Sequence, residues 1–321
     1  MDRESGHPSE HDYSRPVPPA DPSAVRVRAP AKVNLHLGVG PLRPDGYHDL
    51  VTVFHAVDLT DDVVARRADK LEVVVAGEGA GDLPTDERNL AWRAAALLAE
   101  HAGMPARAHL EITKSIPVAG GMAGGSADAA ATLVACAALW QVDVSRDMLA
   151  ELAARLGSDV AFPLSGGTAL GTGRGEVLTA VLTSGAYHWA FALADHGISA
   201  ADAYRELDRQ RSTGAAPAPV DSPDAVIEAL RSGDPHRLAG TLANDLQPAA
   251  LAIAPSLRRT LAAGRELGAI AAIVSGSGPT CAFLAAGRDE ATALAAALAA
   301  EGVCRTTRVA SGPAPGAMIV P

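Results

Sequence analysis

The sequence predicts an α+β protein built in two units, and three observations carry that reading. Strand-like and helix-like segments are mixed without the strict alternation of a parallel α/β fold. In the first half a glycine-rich loop separates a strand pattern from an Ala-rich helix pattern, and near residue 186 a fresh series of strands and helices begins. With 321 residues, 48% of them apolar, the chain can bury two modest cores.

Along the chain, residues 1–24 are polar and Pro-rich without apolar periodicity, which predicts a disordered tail. Residues 25–29 alternate as a strand, and 32–37 resume the alternation after Pro30. Arg43-Pro44-Asp45-Gly46 marks a turn. Residues 51–59, 71–76 and 109–114 read as strands, and 89–102 as a helix with one apolar face. The glycine loop leads into a helix from about 126 to 140. Ser145 is placed to cap a helix over 147–156, which Gly157 ends, and 166–176 reads as strand, turn and strand.

These elements give a first unit over 25–185. A second, over 186–312, holds a strand at 189–194 and helices around 201–211, 223–232 and 256–267. Strands at 270–275 and 280–285, separated by Gly276-Ser277-Gly278-Pro279, and a helix at 290–301 complete it. Residues 313–321 read as a flexible tail. No repeat of fixed period is present.

Composition excludes several function classes. The formal net charge of −10 opposes a broad polyanion-binding surface, so no nucleic-acid partner is expected. There is neither an apolar run of spanning length nor the layout of a signal peptide, which predicts a cytoplasmic protein with no membrane partner. The three cysteines, Cys136, Cys281 and Cys304, lack the spacing of a disulfide framework or a zinc site.

The most informative segment is Pro117-Val118-Ala119-Gly120-Gly121-Met122-Ala123-Gly124-Gly125-Ser126-Ala127. Glycines permit close backbone approach, and the free amides opening the following helix face an anion. The loop therefore either cradles a polyphosphate or only makes a tight strand-to-helix turn. It lacks the glycine spacing of a dinucleotide fold. Gly120 and Gly125 have the Walker separation, but Ser126 and Ala127 follow where that motif needs a lysine and a hydroxyl.

Lys32 lies in an otherwise apolar strand, an awkward place for a charge unless it is on an exposed face or has a task. Asn34, two residues on, shares its face. Asp159 follows a helix-ending glycine and is either a turn residue or a functional carboxylate. Asn89 opens its helix as an N-cap or as a ligand contact. Gly276, Ser277 and Gly278 fit a plain hairpin turn.

The glycine loop resembles the phosphate-binding motif of the GHMP kinases, with Ser126-Ala127 in place of the usual Ser-Ser pair. Ala29-Pro30-Ala31-Lys32-Val33-Asn34-Leu35 and Ser275-Gly276-Ser277-Gly278-Pro279-Thr280 are similar to two further motifs of that superfamily, in the same order. On these three segments, residues 25–312 are identified as a member of it. The resemblance implies a two-domain GHMP kinase fold: an N-terminal domain like the second domain of ribosomal protein S5 and a ferredoxin-like C-terminal domain.

Arg43-Pro44-Asp45-Gly46-Tyr47-His48, Leu156-Gly157-Ser158-Asp159-Val160 and Gly171-Thr172-Gly173-Arg174-Gly175-Glu176 resemble the branch whose acceptor is a cytidine-diphosphate-linked methylerythritol of non-mevalonate isoprenoid synthesis. The resemblance implies ATP and Mg²⁺ as cofactors and phosphorylation of a tertiary 2-hydroxyl. Asp159 is implied as the base and Lys32 as its neighbour, holding the carboxylate ionised and stabilising charge at the reacting centre. By the same resemblance Asn34 is expected to orient the acceptor, residues 117–127 to hold the triphosphate, and Gly276, Ser277 and Gly278 to lie near the phosphates or acceptor. Tyr47 and His48 are implied to meet the cytosine, His48 through its ring or its backbone. Tyr204 closes the other side, although Asp202 stands where a threonine is common. A hint that Asn89 touches adenine or ribose has the same source. Asn244-Asp245-Leu246-Gln247-Pro248 also matches the superfamily, with no chemical task assigned to its side chains. No carboxylate cluster marks the metal's ligands, and the chain is expected as a monomer or weak homodimer.

Overall fold

The computed structural model describes residues 24–220 and 222–321. The tail expected at 1–24 lies outside them apart from Ala24, which opens the first strand.

Two long strands, β1 (Ala24–Leu42) and β2 (His48–Arg66), pair antiparallel over most of their length. Pro30, expected to divide β1, does not. The register shifts between Pro30 and Ala31, and that bulge absorbs the missing amide while the strand runs on. β3 (Glu72–Gly77) runs parallel to β4 (His109–Lys114), which flanks β2, so the sheet reads β1-β2-β4-β3.

Three helices cover this sheet. α1 (Leu90–His101) is capped by Asn89, whose side chain accepts from Ala91 N at 2.8 Å while its amide donates to Pro84 O at 2.7 Å. α2 (Gly124–Trp140) is buried nearly all round, and its alanines let α1, β1 and β2 pack closely on it. α3 (Arg146–Leu156) buries Leu149, Leu152, Ala153 and Leu156, a helical stripe, and Ser145 caps it by accepting from Met148 N at 3.1 Å. A short α4 (Ala161–Ser165), absent from the sequence reading, precedes the hairpin β5 (Thr168–Thr172) and β6 (Val177–Ala180), which joins the sheet through β2.

The second sheet begins with β7 (Tyr187–Leu193), followed by α5 (Ala200–Ser212), α6 (Asp224–Ser232) and α7 (Pro235–Ala239). A two-residue strand, β8 (Ala243–Asn244), leaves this unit to pair parallel with β1 at His36 and Leu37. Then come α8 (Gln247–Ile253), α9 (Ser256–Glu266), the hairpin β9 (Ala271–Val274) and β10 (Cys281–Ala285), α10 (Arg288–Ala300) and β11 (Thr306–Gly312). The strand order β11-β7-β10-β9, all antiparallel, is the ferredoxin-like arrangement of a split βαβ fold.

The expected flexible tail at 313–321 is a correction. Ala314 and Ala317 are buried, and β12 (Met318–Val320) pairs antiparallel with β1 at Arg26, Val27 and Arg28. β12 thus returns to the sheet that β1 opens. Three apolar residues among prolines and glycines are too short a run to show a period of two.

Candidate active site

Where the two sheets meet, a cavity of about 710 Å³ holds residues from almost every motif singled out in the sequence. Lys32 and Asn34 reach it from β1, Tyr47 from the turn before β2, His48 from the start of β2, Gly121, Ala123 and Ser126 from the glycine loop, and Asp159 from the segment after α3. Tyr204 lines it from α5, and Gly276 and Ser277 from the β9–β10 hairpin.

Lys32 is 4% exposed. Its ammonium donates to Asn34 Oδ1 at 2.6 Å and to the carbonyl of Gly121 at 2.8 Å, and Asp159 Oδ2 stands 4.0 Å away. The shared face predicted for Lys32 and Asn34 is therefore used. Burial pushes the lysine's pKa below its ordinary value, and the Asp159 charge opposes that shift. Asn34 Nδ2 donates to Thr52 Oγ1 at 2.8 Å, and that hydroxyl donates to His36 O at 2.7 Å, so a relay across β1 and β2 fixes the amide. The Phe54 ring lies 5.7 Å from the ammonium. Thr52 and Phe54 were not found in the sequence, although a threonine within an apolar alternation is the signal that could have shown the first.

The glycine loop takes left-handed backbone at Ala119, Gly121 and Ala123, two of them alanines, for which that conformation is strained. Among the described residues no side chain caps α2, and its opening amides are left for another acceptor. A Cβ on Gly121 would lie 2.1 Å from Ser275 O, so only glycine lets the loop touch the hairpin. The loop serves two cavities. Gly121, Ala123 and Ser126 face the large one, whereas Pro117, Val118, Ala119 and Gly120 line a second of about 410 Å³ with Glu78, Asp82 and Arg305. Met122 and Ala127 are fully buried, Gly124 backs onto Lys114 and Ile116, and Gly125 is exposed.

Beneath the loop lies a buried charge cluster that the sequence did not reveal. Lys114 pairs with Asp61 and, at 2.7 Å, with Asp128 of α2. Asp61 also accepts from the amides of Ser115 and Ile116 at 2.6 and 2.9 Å, which ties the start of the loop to β2. Asp128 Oδ1 has no partner, and burial pushes this carboxyl up to about 7 despite the opposing lysine.

Elsewhere on the cavity wall, His48 and Tyr204 stack at 5.3 Å with an interplanar angle of 15°. His48 Nδ1 is 2.9 Å from Gly40 O and Nε2 is 3.3 Å from Asp208 Oδ2, so both ring nitrogens are engaged by the protein. Tyr47, half exposed, carries the Arg174 guanidinium 5.0 Å above its ring.

Two residues grouped with the site in sequence are not among those lining the large cavity, although the Gly278 backbone lies against Gly121. Gly278 turns toward Val274, Ala250 and Ile198 of the second sheet's core. Asn89 caps α1 with both ends of its amide occupied.

A strand-to-helix glycine loop facing a hairpin of a ferredoxin-like unit, with a buried lysine and an aspartate between them, defines a two-domain small-molecule kinase of the GHMP type. The model of the GHMP kinases N terminal domain matches residues 89–167, and that of the GHMP kinases C terminal domain matches residues 226–304. A 4-diphosphocytidyl-2-C-methyl-D-erythritol kinase of Salinispora arenicola is 59% identical over 295 residues, covering 92% of this chain and 94% of that one. A crystal structure of 4-(cytidine 5'-diphospho)-2C-methyl-D-erythritol kinase superposes with a TM-score of 0.72 at 34% identity, over 89% of this chain and 98% of that one. Homoserine kinase from Cytophaga hutchinsonii superposes with a TM-score of 0.70 at 19% identity, over 93% and 98% of the two chains, a likeness of fold alone. The chain belongs to the 4-diphosphocytidyl-2-C-methyl-D-erythritol kinase family. No helix among the described residues is long and apolar enough to cross a membrane.

Proposed function

We propose that this protein transfers the γ-phosphate of ATP to the 2-hydroxyl of 4-diphosphocytidyl-2-C-methyl-D-erythritol. The observation that carries the reading is the 4.0 Å approach of Lys32 Nζ to Asp159 Oδ2, in a cavity whose wall also holds the glycine loop at one end and Tyr47, His48 and Tyr204 at the other.

In this reading Asp159 accepts the proton of the acceptor hydroxyl as its oxygen bonds to the γ-phosphorus. The bond from that phosphorus to the leaving oxygen of ADP breaks in the same displacement. Lys32, held in one position by Asn34 and the Gly121 carbonyl, needs no reorganisation to stabilise charge there. The unused amides at the start of α2 support a place for the phosphates. Positioning and charge stabilisation supply most of the acceleration, as suits phosphoryl transfer.

Magnesium would supply charge neutralisation to the phosphate oxygens. Among the described residues no group of three or more His, Cys, Asp or Glu could hold a metal by itself. The cavity wall beside the loop offers the oxygens of Ser126, Ser158 and Asp159, a sparse set that suits an ion carried mainly by the triphosphate and water.

The stacked His48 and Tyr204, with Tyr47 beside them, form the end that takes the cytosine. Both His48 ring nitrogens already face Gly40 and Asp208 and the ring is stacked on Tyr204, so the polar edge of the cytosine is read by groups other than those nitrogens. The test is direct: purified protein, Mg²⁺, ATP and the cytidine substrate, followed by ³¹P resonance. A new phosphate monoester with matching ADP is expected. Turnover of homoserine or mevalonate in its place would overturn the reading.

A further inference from the structure

We propose that Asn244 is a positioning residue for phosphoryl transfer, clamping the β9–β10 hairpin so that the Gly276 backbone closes over Lys32 and Asn34. The inference rests on the proposed reacting centre, and it gives a task to a motif that had none.

β9 is the edge strand of its sheet, and Val274 stands opposite Cys281 with its own amide and carbonyl turned away from β10. An edge leaves such groups without partners unless something covers them. Here two side chains do so. Gln247 Oε1 accepts from Val274 N at 2.8 Å, and Asn244 Nδ2 donates to Val274 O at 2.8 Å. The same Nδ2 donates to Gly276 O at 2.8 Å, while Asn244 Oδ1 accepts from Leu246 N at 2.8 Å. The amide is 8% exposed, so each of these groups would be costly to leave unpaired.

The other end of the clamp is the catalytic strand. β8 pairs with β1 at His36 and Leu37, two and three residues past Asn34, and Asp245 N donates to Leu37 O at 2.9 Å. Asp245 then accepts from Val39 N at 2.9 Å and Val220 N at 2.9 Å, which locks the segment in place. Gly276 has a φ of 54°, and a Cβ built on it would lie 3.0 Å from Lys32 Nζ and 3.1 Å from Asn34 Oδ1. Asn244 thus sets the distance between the hairpin of one unit and the lysine of the other. A shift of about 1 Å at a reacting centre can cost on the order of 10²-fold in rate.

Asn244→Asp keeps the shape and the acceptor for Leu246 N but removes both donors, and Asn244→Ala removes all three bonds. Both are compared with Thr260→Val, which deletes a buried 2.7 Å bond to Val303 O remote from the cavity. In both Asn244 variants kcat should fall by about 10- to 100-fold, with both KM values within about 3-fold of the parent. Thr260→Val should lose melting temperature and keep kcat. Amide exchange at residues 275–278 should quicken in the Asn244 variants alone, a readout that requires no substrate. Unchanged exchange there, or a normal kcat with only a lower melting temperature, would overturn the clamp. A parent protein that binds ATP but fails to phosphorylate the cytidine substrate would instead overturn the proposed function, and the exchange result would still decide the clamp.

Discussion

The two ends of the cavity are built differently. At the reacting end Lys32 and Asn34 are nearly sealed and held in a chain, ammonium to amide, amide to hydroxyl, hydroxyl to strand carbonyl, while the Asp159 carboxylate stands open beside them, 4.0 Å from the ammonium. At the aromatic end Tyr47 is half exposed, held beneath Arg174, and Arg174 itself leans on Glu176 at 3.5 Å. The contrast separates two tasks. In the proposed reading, chemistry draws on the buried Lys32 and Asn34 with the open Asp159 beside them, and recognition draws on the exposed Tyr47 beside the buried His48 and its stacked partner Tyr204. Changes at the first end should therefore act on kcat, and changes at the second on KM.

The sharpest way to break this comparison is at the base. Asp159→Asn keeps the shape and removes the proton acceptor, and kcat should fall by about 10² to 10⁴ with ATP affinity unchanged. Steady-state kinetics with near-normal turnover would dismiss the assignment. Lys32→Met should lose comparable activity. In the parent enzyme, activity that needs the ammonium is lost as pH rises through the Lys32 pKa, which burial places below the ordinary 10.5. The alkaline limb of the pH–rate profile should accordingly fall below that value, and a limb above it would contradict the buried setting.

The phosphate path is tested at Gly125 in preference to Gly124. Bulk on Gly124 would strike Lys114 Nζ at 3.1 Å and Ile116 and so displace the loop, whereas Gly125 is exposed. Losing one charge-assisted amide contact costs about 1.5–3 kcal/mol, so Gly125→Val should raise the ATP Kd by about 10-fold or more. Calorimetry showing intact ATP binding in the folded variant would move the phosphates elsewhere.

At the recognition end, base–aromatic stacking is worth about 1–3 kcal/mol. Tyr47→Ala should raise the acceptor KM by about 10-fold and leave kcat within about 2-fold. A fall confined to kcat would erase the distinction between the ends.

The smallest effect belongs to the cluster beneath the loop. The Asp128 carboxyl, raised from 3.8 to about 7, keeps its proton in the folded protein where the unfolded chain releases it. The folded state then binds more protons over that window, and this group's contribution to stability declines as pH rises from about 4 to 7. Asp128→Asn should flatten that part of the profile in urea unfolding. An identical slope in the two proteins would show that Asp128 does not carry it.

Much of the site was legible because it is local in sequence. A lysine and an asparagine two apart on a strand, a glycine loop before a helix, and a serine cap four residues before a buried leucine all declare themselves by spacing. What escaped is what folding joins across distance. Asn244 meets carbonyls at 274 and 276, Asp61 meets Lys114, and β12 returns nearly 300 residues to β1, none of which leaves a periodic trace. Pro30 misled for a different reason: a bulge accommodates a residue that would otherwise end the strand.

The proposed function joins a phosphoryl-transfer centre to a cytosine-reading end in one cavity. It is tested most directly by measuring kcat/KM for the cytidine substrate and for methylerythritol phosphate lacking the nucleotide, in the parent protein and in Tyr47→Ala. A strong preference for the cytidine substrate, narrowed by about 10-fold in the variant, is expected. Equal kcat/KM values for the two acceptors in the parent protein would contradict it.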